Sequence, residues 1–368
     1  MKKVAHIQVI PKLSGVQNFS LHILSNLKNY DKYIICSDTE VVNEQQKKEF
    51  INQFENFGIK IIWLKHLKRA IGIHDILACY ELWKIFKKYN FDIIHTNSTK
   101  PGIIGRIVAK LSGCKKIIHT VHGISFHKNE KFIKRILFYL LEIFSLQFGH
   151  INISVNKYYL KFYQLFFWKK TINIYNGIDF NRLNENIDIT LKNKKNILFV
   201  GRLDTQKNPL GAILAFDELL KKDSDIYFDI VGDGDLRKDC EDLVHKLGIE
   251  KNVNFHGWSN TPVKFYLNSS LFFCPSLHEA FGFTFVEAAF FKLPIISSNV
   301  EGIPEVVINK KMGLLSEPYN YKQMAENIYS ILNNSSLSEE MGNYGKQFVK
   351  ENFQLSECIE KYSTIYDK

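Results

Sequence analysis

Short aliphatic runs recur along the chain at intervals too long for hairpins. They fall at 4–10, 33–36, 60–63, 91–98 and 117–123 in the first half, and at 196–204, 226–231, 253–258, 270–274 and 295–298 in the second. Stretches with helical spacing of apolar residues lie between them, near 17–27, 43–57, 73–89, 102–110, 210–220 and 285–291. A strand followed by a helix and another strand closes a parallel pair, because a hairpin cannot reach back to the same edge. The rhythm therefore predicts an α/β chain of doubly wound parallel sheets, whose ligand edge is the carboxyl ends of the strands. At 368 residues the chain exceeds one ordinary core and should hold two domains.

The most informative loop is Pro275-Ser-Leu-His-Glu-Ala-Phe-Gly-Phe-Thr-Phe-Val-Glu287. It follows an apolar strand and runs into a helix that Lys292-Leu-Pro294 should stop. Glu279 then lies in the loop and Glu287 about two turns on. The N–H groups of Ala280, Phe281, Gly282 and Phe283 would face out of a helix start, where anions bind. Gly282 permits close backbone approach. Carboxylates in these places can accept hydrogen bonds from the hydroxyls of one sugar-like ligand. Spacing alone also allows an idle pair of glutamates.

A second loop carries cations. Gly201-Arg-Leu-Asp204 follows a strand, and Lys207-Asn-Pro209 opens the next helix with proline at its start. Arg202 and Lys207 could neutralise a diphosphate there or be solvated surface charges. Polar residues end two strands of the first half: His95 and Asn97 on one, His119 and His122 on the other. These strand ends aim His95, Asn97 and His122 toward one crevice, while hydrogen bonding inside the fold is the ordinary role of such histidines. Gly15 sits in the first strand-to-helix loop, as a turn or as a point of close approach to a ligand. Gly232-Asp-Gly-Asp-Leu236 lacks the third glycine of a dinucleotide fingerprint, which weakens any NAD reading.

Together these motifs resemble the retaining glycosyltransferases of family 4, the group-1 set with the GT-B fold. The carriers of the resemblance are Glu279-x7-Glu287 with Pro275, Ser276 and Gly282, then Gly201-Arg-Leu…Lys207-Asn, Asn176-Gly-Ile-Asp179 and Gly302-Ile-Pro-Glu305. Ser14-Gly15 keeps the second glycine of a pair usual in that family. The resemblance implies two Rossmann-like domains facing a central cleft: an acceptor domain over 1–178 with a final helix, about 353–368, packing back on it, and a nucleotide-sugar domain over 179–352. A charged linker, 180–195, would join them. It implies that Arg202, Lys207 and the amides of 280–283 stabilise the departing β-phosphate, and that Glu279 orients sugar hydroxyls. Glu287 would bind the ribose diol, Gly232 line the donor pocket, and Gly257 with Trp258 meet the base. His122 would position donor sugar or acceptor, and Glu305 would hold a loop. No metal or other cofactor is expected, and UDP is the default base by family frequency alone. A phosphorylase, a sucrose-type synthase or a non-catalytic nucleotide-sugar binder of the same fold would share these motifs.

Charge and cysteine usage bear on partners. Residues 1–178 hold 27 Lys/Arg against 11 Asp/Glu, whereas 179–368 hold 21 against 27. So basic a first half should face something anionic. The stretch 132–144, apolar on most sides, reads as a buried helix. The stretch 157–170 mixes four lysines with Tyr158, Tyr159, Phe162, Phe166 and Trp168, and reads as a surface on an anionic inner-membrane leaflet. Nucleic acid is not expected, since no binding motif accompanies these residues. Six scattered cysteines without a C-x-x-C, and a first strand with no leader, suggest a cytoplasmic protein at the inner face of the plasma membrane. The expected acceptor is lipid-linked oligosaccharide or polysaccharide in bacterial surface glycan synthesis.

Overall fold

The computed structural model describes residues 1–40, 43–128, 130–163, 168, 170–183, 195–259 and 261–368. They divide into two compact units, Met1–Asn176 with Ser356–Lys368, and Gly177–Leu355. The expected linker begins as a short 3₁₀ turn, Phe180–Leu183. Residues 184–194 of that linker, and Phe166 and Lys169 of the aromatic stretch, lie outside the described residues.

The first unit is a sheet of seven parallel strands: β1 Lys2–Ile7, β2 Tyr30–Ser37, β3 Lys60–Leu64, β4 Ile93–Asn97, β5 Lys116–Val121, β6 Ile151–Ser154 and β7 Lys170–Asn173. Their order is β3-β2-β1-β4-β5-β6-β7, so the winding reverses between β1 and β4. Alternate residues serve opposite faces. Val4, Ile34, Cys36, Ile93 and Ile118 enter one core with Phe19, Phe50, Phe54 and the helix Leu355–Asp367. Ala5, Ile7, Ile35, Ile94 and Ile117 enter the other with Ala78, Leu82, Phe86 and Val108. Strands buried on both faces show continuous apolar runs, which is why those runs were visible in the sequence.

The second unit has six parallel strands: β8 Asn196–Val200, β9 Tyr227–Val231, β10 Val253–Gly257, β11 Leu271–Cys274, β12 Ile295–Ser298 and β13 Gly313–Ser316. The order is β10-β9-β8-β11-β12-β13. Here the reversal falls between β8 and β11, whose four residues are all fully buried. The loops that leave these two strands flank the switch point, where open α/β sheets bind ligands. Those are the loops of Lys207 and Glu279.

Several expectations needed correction. Strand β1 stops at Ile7 and not at residue 10, although backbone bonds to β2 continue from Gln8 to Ile35 at 3.0 Å and from Ser37 to Val9 at 2.9 Å. Strands β6, β7 and β13 have only four residues each and were not anticipated. The helix Phe132–Leu146 is not buried: it rests on its polar side, through Glu142 and Ser145, and leaves most apolar residues outside. In the following segment Tyr159 and Tyr163 are buried and Tyr158 and Phe162 half-buried, while Trp168, Lys157, Lys161 and Lys170 are exposed.

Candidate active site

In the second unit the loop after β8 is braced before any charge is considered. The backbone N–H of Lys207 donates to Asp204 at 3.0 Å, and Asn208 adopts a left-handed conformation with φ of 54°. Asparagine tolerates that region better than most residues. Its side-chain oxygen caps the helix Pro209–Leu220 by accepting from the N–H of Gly211 at 3.2 Å. Its amide donates to the carbonyl of Pro275 at 3.2 Å, which ties this loop to the one after β11. Lys207 is thereby held buried, and its ammonium donates to the carboxylate of Glu279, also buried. Burial works against the charge on Lys207, but Glu279 beside it outweighs that and holds the ammonium above its ordinary pKa.

Glu279 is itself fixed by its backbone. Its N–H donates to the carboxylate of Glu301 at 3.1 Å, and its carbonyl accepts from Gly302 at 3.0 Å. Gly282, at φ of 78°, then starts the helix Phe283–Phe290. A side chain there would be strained and would strike the ring of Phe285. The first N–H groups of such a helix have no partner within it. The Thr284 hydroxyl, at the second position, is buried with no hydrogen-bond partner among the described residues. Ala280 and Phe281 are buried beneath this turn, whereas Phe283 is partly open.

Glu287 lies on the same helix and accepts from the hydroxyl of Tyr266 at 2.8 Å. Burial pushes its carboxyl up to about 7, against the opposing pull of Tyr266 and Lys207. Lys207 thus acts on both glutamates. Arg202 differs from it: its side chain is exposed and reaches Asp204 at 3.1 Å and Gln206 at 2.9 Å.

The glycine loops on the other side of β8 do packing work. Gly232 has φ of 140°, and any Cβ would overlap the carbonyl oxygen of Gly201. Leu203 donates to Asp233 and Gly232 to Gly257, at 3.0 and 2.8 Å. These contacts knit the ends of β8, β9 and β10 into one rim, with Gly257 at φ of 69°. Neither Tyr266, Thr284 nor Glu301 was singled out from the sequence, since a tyrosine on a six-residue helix carries no motif.

The first unit holds the remaining candidates. His122 and Asn97 meet at the carboxyl edge of β4 and β5, with the ring nitrogen 3.1 Å from the amide oxygen. The ring also meets Phe19 edge-on, and burial lowers its pKa to about 3. Gly15 is the exposed first residue of the helix Gly15–Asn26. His95 does not reach the edge. It is fully buried and bonded to the hydroxyls of Tyr366 and, at 2.7 Å, Thr120. His119 faces the opposite side and bonds Thr96 at 2.9 Å.

Residues 183–348 match the family described as glycosyl transferases group 1, and residues 17–182 match glycosyltransferase family 4. The chain is 28% identical to an Escherichia coli enzyme, UDP-Gal:alpha-D-GlcNAc-diphosphoundecaprenol alpha-1,3-galactosyltransferase, over 99% of this chain and 96% of that one. It is 25% identical to the capsular polysaccharide biosynthesis glycosyltransferase CapM of Staphylococcus aureus, over 100% and 97%. In fold it is similar to Anabaena HepE, solved with UDP and glucose, at a TM-score of 0.80 and 16% identity over the whole of both chains. With two parallel-sheet units of that fold and family matches that run from 17 to 348, the chain belongs to the family 4, group 1 glycosyltransferases and is a glycosyltransferase.

Proposed function

We propose that this enzyme transfers a hexose or N-acetylhexosamine from a nucleoside diphosphate sugar, with UDP the favoured nucleotide, to a lipid-linked or polysaccharide acceptor in bacterial surface glycan synthesis. The observation that carries the reading is the buried Lys207–Glu279 pair beside the start of the helix Phe283–Phe290. A diphosphate seated at that helix start would draw the Lys207 ammonium and free Glu279 to accept from sugar hydroxyls. Charge on the leaving oxygen grows as the C1–O bond breaks, so Lys207, Arg202 and the amides of 280–283 act most strongly in the transition state. This set neutralises the departing group without a metal ion, and full activity in EDTA is the expected result. Glu287, oriented by Tyr266, takes the ribose diol.

The configuration is retained in this reading. The β-phosphate oxygen leaves and accepts the proton of the incoming acceptor hydroxyl, which bonds C1 on the same face. His122, held neutral and anchored to Asn97, orients a sugar hydroxyl and does not serve as a base. Two relatives support the substrate class by name: the galactosyltransferase that uses a diphosphoundecaprenol acceptor, and the capsular enzyme. A lipid-linked acceptor places the working protein peripherally on a membrane.

A thermal-shift panel of UDP-, GDP-, ADP- and dTDP-sugars tests the donor, followed by transfer to undecaprenyl-diphosphate-linked sugar. Stabilisation by UDP-sugars, and transfer with the anomeric configuration kept, are expected. Binding without release of nucleoside diphosphate to any acceptor would reduce the protein to a nucleotide-sugar binder.

A further inference from the structure

Two helices of the first unit turn apolar side chains outward. Among the described residues, twelve of the 21 exposed large apolar side chains belong to Phe132–Leu146, His74–Tyr89 or the turn before the latter. Ile133 and Ile73 are the extremes, at 81% and 83% exposed. Scattered exposed residues are ordinary, but a concentration of this kind marks a contact surface. Both helices pack against the helix Thr99–Ser112, one following β3 and the other β5. Right-handed crossovers put them on the same face of the sheet, and each starts at the carboxyl edge of its strand. The most exposed residues sit at those starts, toward the edge that carries His122 and Asn97.

Cations outnumber acids around these faces, with the half-buried Glu130 preceding one of them. Lys131 and Lys134 are exposed at the start of one helix, and Arg69 and Lys84 beside and along the other. Of the acids on the two helices, Glu142 is buried against Arg106 at 2.9 Å and Asp75 pairs with Lys100, while Glu81 accepts from the backbone N–H of His66 at 3.1 Å. The outward faces thus offer apolar groups with an excess of cations over carboxylates. That pairing complements a sheet of acyl chains under anionic headgroups. No helix among the described residues is long and apolar enough to cross a membrane, so contact at the surface is the mode these elements allow.

We propose that the outward faces of Phe132–Leu146 and His74–Tyr89 form one surface that seats the first unit on an anionic bilayer, with its ligand edge toward the lipid. The proposal rests on the reading of a lipid-linked acceptor and adds the residues that meet the membrane. It moves the contact from the aromatic stretch 157–170 to the helix before it.

Cosedimentation tests it, with vesicles of phosphatidylglycerol and phosphatidylcholine and with vesicles of phosphatidylcholine alone. The protein should pellet with the mixed vesicles and release in high salt. Ile133→Ser with Leu137→Ser, Ile73→Ser with Ile76→Ser, and Lys131→Glu with Lys134→Glu should each weaken binding about tenfold or more. All three are surface changes, so melting temperature and UDP affinity should not move. Wild-type protein that ignores the mixed vesicles, or variants that bind as well as it does, would overturn the proposal. So would light scattering that shows a dimer which Ile133→Ser with Leu137→Ser converts to monomer, since a second copy would then cover the face. Vesicle binding without UDP binding leaves the surface standing and removes the UDP-sugar reading. UDP binding without vesicle binding does the opposite.

Discussion

The two units bury polar groups by opposite strategies. Apart from the Arg106–Glu142 ion pair, the first hides neutral ones. His6 bonds Ser20 at 2.8 Å and the Tyr366 hydroxyl at 2.7 Å; the same hydroxyl bonds His95, which bonds Thr120, and Thr120 bonds Tyr362 at 3.2 Å. Burial drives His6 and His122 down to about 3 and lowers His95 and His119 as well. The second unit hides charge in the Lys207–Glu279 pair, beside a Glu287 carboxyl that burial partly neutralises. A neutral network ties the final helix to a sheet and favours stability. A buried ion pair gives little net stability but holds a charge ready for a ligand. The contrast separates a structural polar core from a working one.

The largest effect should come from breaking the working pair. Lys207→Ala or Glu279→Gln should cut turnover by about 10²–10³ or more. Lys207→Ala should also lower stability by about 3–5 kcal/mol, because it strands a buried carboxylate. Nucleoside diphosphate release and urea melts measure the two. Turnover within a factor of two would dissolve the distinction between the units.

Acid should strike the first unit next. Its buried histidines stay neutral when folded but take up protons near pH 6.5 when unfolded, so stability falls as pH drops below 6.5 toward 3. At pH 5 His6, lowered to about 3, contributes a loss on the order of 2 kcal/mol, and His95 adds a loss of the same sign. Hydrogen exchange of peptides from β1, β4 and β5 should rise between pH 7 and 5 before that of β8 and β11 does. Tyr366→Phe removes the hydroxyl shared by His6 and His95 and should cost about 1–3 kcal/mol with UDP affinity unchanged, by thermal melt and titration.

The smallest effect has the opposite sign. Glu287 is raised to about 7, so the folded state holds a proton that the unfolded carboxyl has released. Stability is full below about 4.5 and declines as pH rises through 7. Glu287→Gln should therefore stabilise the protein by about 1–2 kcal/mol at pH 8 and by nothing at pH 4.5, while weakening UDP binding. A melt series across pH for both proteins reads this directly.

How much of this was legible depends on the length of the signal. Strands buried on both faces announce themselves as apolar runs, so the βα rhythm and most helices could be read within a few residues. Strands β6, β7 and β13 could not: INIS and KTIN alternate polar with apolar residues, and β7 and β13 are partly exposed edge strands, whereas the equally short β11 is wholly apolar and buried. In the working site, Glu279, Glu287, Arg202 and Lys207 stood in local motifs. Their partners Tyr266, on a six-residue helix, and Glu301, in the loop after β12, lie 21 and 22 positions away from Glu287 and Glu279.

By itself the sequence determined the parallel α/β class, the two loops that carry cations and carboxylates, and the basic character of the first half. These follow from local periodicity and composition, which need no knowledge of neighbours. Only the tertiary structure decided that Lys207 meets Glu279 72 positions away, that His95 is buried under Tyr366, and that Phe132–Leu146 turns its apolar side out. Burial is a property of what packs against a residue. An apolar helix looks the same in sequence whether it covers a core or leaves its face open.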